Sequence, residues 1–136
     1  MISALLPACT RKSVMRITPI HPTAHAYSQA CEVSGAARWL FISGQVPQDA
    51  VDRVPSDYPS QYRLAWANVE AQLKAAGMTF DNLVKVTIYL SDRALIAQSA
   101  GLRQEILGAR SPALTIVIVG IYDQAWLLEI EAVAAA

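Results

Sequence analysis

Two carboxylates, Glu129 and Glu131, stand two residues apart near the end of a chain of 136 residues, inside a run that is otherwise almost uncharged. The run, 112–134, reads PALTIVIVGIYDQAWLLEIEAVA, and Asp123 is its only other charge. Two apolar stretches separated by Tyr122, Asp123 and Gln124 predict a turn between two closing strands of a sheet with little surface in water. Side chains alternate along a strand, so Leu127, Glu129, Glu131 and Val133 are expected to share one face. A carboxylate on an apolar face either meets solvent or a partner, or belongs to a site that uses it. Glu129 beside Trp126, or against a neighbour's apolar wall, would suit proton transfer.

The composition narrows the function classes. The chain is long enough for one domain with one core, and residues 15–136 are assigned to it. At 54% hydrophobic and 16% charged residues, it is richer in apolar residues than an average soluble domain. The excess must be buried in the core or between subunits, and the small interior of such a domain favours subunits. Eleven basic and eleven acidic residues cancel without a basic stripe, so no nucleic-acid partner is expected. No stretch has the roughly eighteen uninterrupted apolar residues of a membrane helix. Cys9 and Cys31 lie in unlike settings, which argues against a disulfide framework and for a reduced, cytoplasmic location. His21 and His25 are interrupted by Pro22 and have no Cys or acid to complete a metal site. Residues 1–14 carry basic but no acidic side chains, and are expected to form a disordered tail.

The elements that must position the carboxylates follow from periodicity. Residues 16–20 predict a short edge strand bounded by Pro19 and Pro22. Residues 27–33 and 38–43 predict two strands joined by Ser34–Gly35 as a hairpin. Residues 44–57 are a polar, proline-containing loop. A helix over 59–76 is marked by Pro59 in its first turn, Asp57 or Ser60 as cap and Gly77 as stop. Tyr62, Ala65, Trp66, Val69, Leu73 and Ala76 form its buried stripe. Residues 83–90 alternate strictly, which points Val84, Val86, Ile88 and Leu90 one way and Leu83, Lys85, Thr87 and Tyr89 the other. Asp92 opens a second helix over about 93–107, carrying Leu95, Ile96, Leu102 and Ile106 and ending at Gly108. This order predicts an α+β fold, a mixed β-sheet with both helices on one face. The opposite face collects Trp39 or Phe41, Tyr89, Leu127 and Glu129. It is too apolar for water and has no helix left to cover it, so copies of the chain are expected to meet there.

Several pieces, in order, carry a resemblance. They are Tyr27-Ser28-Gln29, Ile42-Ser43-Gly44-Gln45-Val46-Pro47, Asn68 with Leu73 and Ala75-Ala76-Gly77, Val84-Lys85-Val86-Thr87 with Leu90 and Asp92, Pro112-Ala113, and Glu129-Ile130-Glu131-Ala132. The chain resembles the RidA/YjgF family of enamine and imine deaminases across about 16–134. That resemblance implies a homotrimer of chorismate-mutase-like subunits, an intersubunit cleft for a small-molecule ligand, and no cofactor. Such deaminases hydrolyse enamine or imine acids to keto acids and ammonia. Their carboxylate anchor is the arginine of a Pro-Ala-Arg-Ser motif, where this chain has Pro112-Ala113-Leu114-Thr115. A leucine cannot make a bidentate, charge-assisted pair with a carboxylate. Ala100 stands where active members often carry an asparagine, and Leu64 where a second glutamine beside Gln61 is common.

The resemblance also assigns roles by position. Glu129 matches the glutamate that positions water and shuttles a proton, and Tyr27 matches a cleft tyrosine; these two are the catalytic candidates. Ser43, Gly44, Leu114, Thr115 and Trp126 are the substrate-binding candidates, Ser43, Gly44 and Thr115 through backbone N–H groups. The plain alternatives are an interface ion-pair role for Glu129, packing for Tyr27 and Trp126, a tight strand exit for Ser43–Gly44 and burial for Cys31. Arg110, in the loop before Leu114, is a candidate replacement cation. Two functions follow: a hydrolase of imine- or enamine-type metabolites with a non-standard substrate, or a non-catalytic trimeric module that binds a small ligand or a partner in the same cleft. The family's other association, ribonuclease or translation inhibition, conflicts with the neutral charge and the missing basic patch.

Overall fold

A computed structural model describes residues 14–136; Cys9 and all of the expected tail except Val14 lie outside them. Six strands alternate with two helices: β1 (Arg16–Pro22), β2 (Ser28–Ser34), β3 (Trp39–Gln45), α1 (Tyr58–Ala75), β4 (Leu83–Leu90), α2 (Ile96–Leu107), β5 (Ala113–Ile118) and β6 (Leu128–Ala135). They form one mixed sheet in the order β1-β2-β5-β4-β6-β3. β5 runs parallel to β4 and β2, and the other pairs are antiparallel. Parallel neighbours need a long crossover, and α2 supplies the one between β4 and β5.

The α1 helix starts where Asp57 accepts a hydrogen bond from the Ser60 backbone N–H, with Pro59 in the first turn. It ends before Gly77, whose φ of +69° favours a residue without a Cβ. Its stripe of Tyr62, Ala65, Trp66, Val69 and Leu73 is fully buried against Val86, Ile88 and Leu90 of β4 and Leu128, Ile130, Ala132 and Ala134 of β6. Asp92 caps a short 3-10 turn, Arg93–Leu95, and α2 proper begins only at Ile96. Ile96 is exposed, while Leu102 and Leu107 turn inward. Among the described residues no helix is long and apolar enough to cross a membrane.

Three expectations about strands are corrected. The hairpin is β1 with β2, from Arg16 opposite Ser34 to Pro22 opposite Ser28, and not residues 27–33 with 38–43. Pro19 and Pro22 are tolerated because β1 is an edge strand. β3 crosses to the far edge, where Ala37 and Arg38 donate to the Ala136 carbonyl and, among the described residues, β6 is its one strand neighbour. Turn residues at 34–35 reverse the chain but do not choose its partner. The two closing strands do not pair either, because β4 lies between them. Finally, the alternation in β4 slips at its start: Leu83 stands opposite Ala134 and Lys85 opposite Val133, so Val84 is the extra residue of a bulge. Leu83 is buried in its place.

Candidate functional site

The face of the sheet away from the helices carries a polar row. Lys85, Thr87 and Tyr89 of β4 stand opposite Val133, Glu131 and Glu129 of β6. The Tyr89 hydroxyl donates to Glu131 Oε1 at 2.9 Å. That bond, followed by burial and the charges of Glu131 and Glu129, holds the Tyr89 hydroxyl above the ordinary phenol range. Beside this row β3 is irregular. Ile42 pairs with Ala132 and Gln45 with Ile130, so Ser43 and Gly44 together face Glu131. A bulge of this kind bends a strand and re-aims what lies next to it.

The bulge makes room for Glu129. A Cβ placed on Gly44 would stand 1.7 Å from Glu129 Oε1 and 2.6 Å from its carboxyl carbon. The carboxylate therefore lies directly over the glycine, and glycine is required there for space. Gly44, Tyr89, Glu129 and Glu131 line a cleft of about 310 Å³, closed on one side by Val119, Gly120 and Ile121. Ser43 lines the adjoining hollow of about 300 Å³ with Phe41, Lys85 and Thr87. Glu129 forms no hydrogen bond or ion pair with any described residue, so both its oxygens are available to a water or ligand. The loop that closes the cleft is held from below by buried Gln61, which donates to the Ala125 carbonyl at 2.9 Å and accepts from Leu127 N–H at 2.8 Å. Trp126, half-buried in this loop, faces Tyr122 with ring centroids 6.1 Å apart.

The remaining candidates lie elsewhere. Leu114 stands opposite Val86 and packs against the core on the helix side, whereas Thr115 is on the polar face and accepts a hydrogen bond from Lys85. Tyr27 precedes β2, and its ring lies 5.7 Å from the guanidinium carbon of Arg103 on α2. Ser28 is in register with Ala113 and Ala113 with Lys85. With strands about 4.8 Å apart and a rise of about 3.3 Å per residue, Tyr27 and Glu129 are roughly 20 Å apart within one chain. Leu114 and Glu129 are also on opposite faces. One chain thus brings Glu129, Gly44 and Ser43 together but leaves Tyr27 and Leu114 as a second group. Arg110 donates to Asp81 at 2.6 Å and to the Leu107 carbonyl at 3.3 Å, which draws its guanidinium away from Leu114. Among the described residues no cluster of His, Cys, Asp or Glu is suited to hold a metal ion.

Comparison with known proteins fits this architecture. The model of the family described as endoribonuclease L-PSP matches residues 18–136. The chain belongs to this family, the YjgF/RidA/RutC proteins. A RutC family protein of Pyrococcus horikoshii is 37% identical over 118 residues, 85% of this chain and 88% of the relative. A 2-iminobutanoate/2-iminopropanoate deaminase of Bos taurus is 32% identical over 110 residues, 79% of this chain and 78% of the enzyme. A Rid-family protein of unknown function from Yersinia pestis superposes with a TM-score of 0.76 at 26% identity, covering 90% of this chain and 98% of that one. The resemblance read from the residue pieces and the α+β mixed sheet with two helices therefore both hold.

Two features of this YjgF/RidA/RutC chain were missed from sequence. The Tyr89–Glu131 bond was not anticipated, although residues 83–90 and the closing strand had each been placed with these side chains on the uncovered face. Register decides it, since only the pairing of β4 with β6 puts the two side chains within reach. Arg103, which is not among the candidates singled out from sequence, is 3% exposed. Its spacing of one helical turn from Ser99 was the available signal.

Proposed function

We propose that this family member is a hydrolase of imine- or enamine-type metabolites, acting in a cleft between the copies of a homotrimer on a substrate without the usual α-carboxylate. The observation that carries the reading is Glu129, an unpaired carboxylate seated over a glycine that admits nothing larger. Water attacks the imine carbon while Glu129 takes its proton. The proton then passes to nitrogen, and the resulting carbinolamine collapses to a carbonyl compound and ammonia. Glu129 returns to its starting state, so no cofactor takes part. Backbone groups of the Ser43–Gly44 bulge are placed to orient the ligand beside the carboxylate.

The second group completes the cleft from a neighbouring copy. Separation by roughly 20 Å, argued above from strand spacing and rise, prevents one chain from applying Tyr27 and Glu129 to one small molecule. The uncovered face offers the contact: Phe41 is 76% and Trp39 50% exposed in the single chain, two large apolar side chains on one face of the edge strand β3. Leu114, Thr115 and Trp126 then contribute at the rim and wall. Leu114 offers no charge to a carboxylate, which favours neutral imines; a charge-assisted hydrogen bond is worth about 1.5–3 kcal/mol, or roughly one to two decades of binding. The neutral composition speaks against ribonuclease action.

The test is an imine-hydrolysis assay with 2-iminopropanoate and neutral ketimines, generated in situ, on the parent chain and on Glu129→Ala and Leu114→Arg. The parent is expected to turn over neutral imines, Glu129→Ala to lose this while keeping its oligomeric state, and Leu114→Arg to gain the imino acid. Undiminished turnover in Glu129→Ala sinks the assigned role. No turnover of any imine by the parent, together with ligands that raise its Tm, establishes the non-catalytic binding module instead.

A further inference from the structure

Among the described side chains that line the cleft of Glu129, Tyr89 alone carries a hydrogen-bond donor. The others are ionised carboxylates, glycines and the aliphatic Val119 and Ile121. The one donor is already committed, because the Tyr89 hydroxyl gives its hydrogen to Glu131 Oε1 at 2.9 Å. A phenol has a single proton, so what Tyr89 offers a ligand is its lone pairs. The bond to Glu131 also holds the phenol above its ordinary range, and the proton stays in place at neutral pH. Nothing competes for Glu131: the four ion pairs among the described residues lie elsewhere, and the Lys85 amine donates to Thr115.

Strand order gives the cleft two unlike ends. β6 lies between β4 and β3, which sets those two strands about 10 Å apart at the usual spacing. At the β3 end the Glu129 carboxylate lies over Gly44, beside the backbone of the Ser43–Gly44 bulge. Tyr89 comes from β4, directly opposite Glu129 in register, and is half-buried. One end therefore holds a base that can take a proton from water. The other holds an oxygen that can only accept. An imine with hydrogen on its nitrogen is polarised to match, since its carbon seeks the water and its N–H seeks an acceptor.

We propose that Tyr89 Oη is the acceptor that reads the N–H of the imine, and that Glu131 is a positioning residue that acts through it by holding the phenol hydrogen away from the ligand. The inference rests on the hydrolytic reading and narrows its substrates to imines with no substituent on nitrogen. In the reaction one imine and one water become one carbonyl compound and one ammonia. Tyr89 neither gives nor takes a proton; Glu129 carries each one from oxygen to nitrogen. Tyr89 accepts from the imine N–H and then from the amino group of the carbinolamine. Once ammonia has left, the product presents carbonyl lone pairs where the imine presented a hydrogen. Lone pair then faces lone pair, and the product is released. An imine alkylated on nitrogen meets the same mismatch before reaction.

The test uses the full chain, Tyr89→Phe, Glu131→Ala and the two substitutions combined. Hydrolysis of a ketimine is compared with that of its N-methyl counterpart. The parent is expected to favour the N–H substrate in kcat/KM by at least about tenfold, and Tyr89→Phe to remove most of that preference. Butan-2-one is then titrated and followed by NMR, which requires no turnover. Glu131→Ala frees the Tyr89 hydroxyl to donate to the ketone, so butan-2-one should bind about tenfold tighter than to the parent. Adding Tyr89→Phe should abolish the gain. A purely structural role for either residue would produce no such gain. An unchanged preference in Tyr89→Phe, equal ketone affinity in the parent and Glu131→Ala, or a gain that survives the added Tyr89→Phe overturns the proposal. If the parent hydrolyses no imine, the hydrolytic reading falls, and the ketone titration alone upholds or overturns the acceptor role of Tyr89.

Discussion

The two faces of the sheet are built from the same strands and differ in what covers them. On β4, Val86, Ile88 and Leu90 are completely buried; the residues that alternate with them, Lys85, Thr87 and Tyr89, carry an amine, a hydroxyl and a phenol. From Val86 onward the helix-covered face of β4 is regular, because a one-residue slip would turn apolar side chains outward. The uncovered face tolerates irregularity, and the Ser43–Gly44 bulge that seats Glu129 is found there. Rigidity is supplied from one side and chemistry is displayed on the other. Gln61 links them: its amide, buried under α1, holds the loop behind the cleft.

Substitutions on the two faces should therefore fail differently. On the uncovered face, Glu129→Gln is expected to lower kcat by about 10²–10⁴ with Tm within a degree or two of the parent, read by steady-state kinetics and calorimetry. On the covered face, Leu73→Ala should cost about 2–5 kcal/mol in urea unfolding while the folded fraction keeps its kcat. Loss of kcat in folded Leu73→Ala would break the division of labour. Gly44→Ala sharpens it, because the added methyl must displace the Glu129 carboxylate. Turnover should fall at least tenfold, against an overpacking cost of about 1–3 kcal/mol. Phe41→Lys should dissociate the proposed trimer in sedimentation while each chain keeps its far-UV spectrum.

The smallest effect is set by pH. Burial pushes the Tyr58 hydroxyl up to about 12, against a small opposing effect of its bond to Ser99. The unfolded phenol ionises near its model value of 10.0, so between these values the unfolded state loses the proton first. The stability Tyr58 contributes is full below pH 10 and is lost as pH rises toward 12. Tyr58→Phe should flatten that alkaline decline in denaturation curves. The Glu129 variants should leave it unchanged.

Much of this protein was legible in its sequence, and the legible parts share a cause. The α1 stripe, the Asp57 cap, the Gly77 stop, the inward face of β4 from Val86 onward, and the placing of Glu129 and Glu131 on one face all follow from local periodicity and backbone preference. Those act over a few residues and leave their mark in every window of sequence. The family pieces likewise survive as short strings in order.

What only the tertiary structure decided is pairing. Nothing local sends β3 to the far edge beside β6, inserts β4 between the closing strands, or puts the extra residue of β4 at Val84. Partner choice depends on which surfaces remain to be buried once the whole chain is compact. The site inherits that non-local origin: Glu129 lies over Gly44 because β3 pairs with β6 across a bulge, Tyr27 is distant because β2 lies across β5 and β4, and Arg103 is buried because two helices close over it. Residue types marked the groups capable of chemistry. Strand order and packing decided which of them meet.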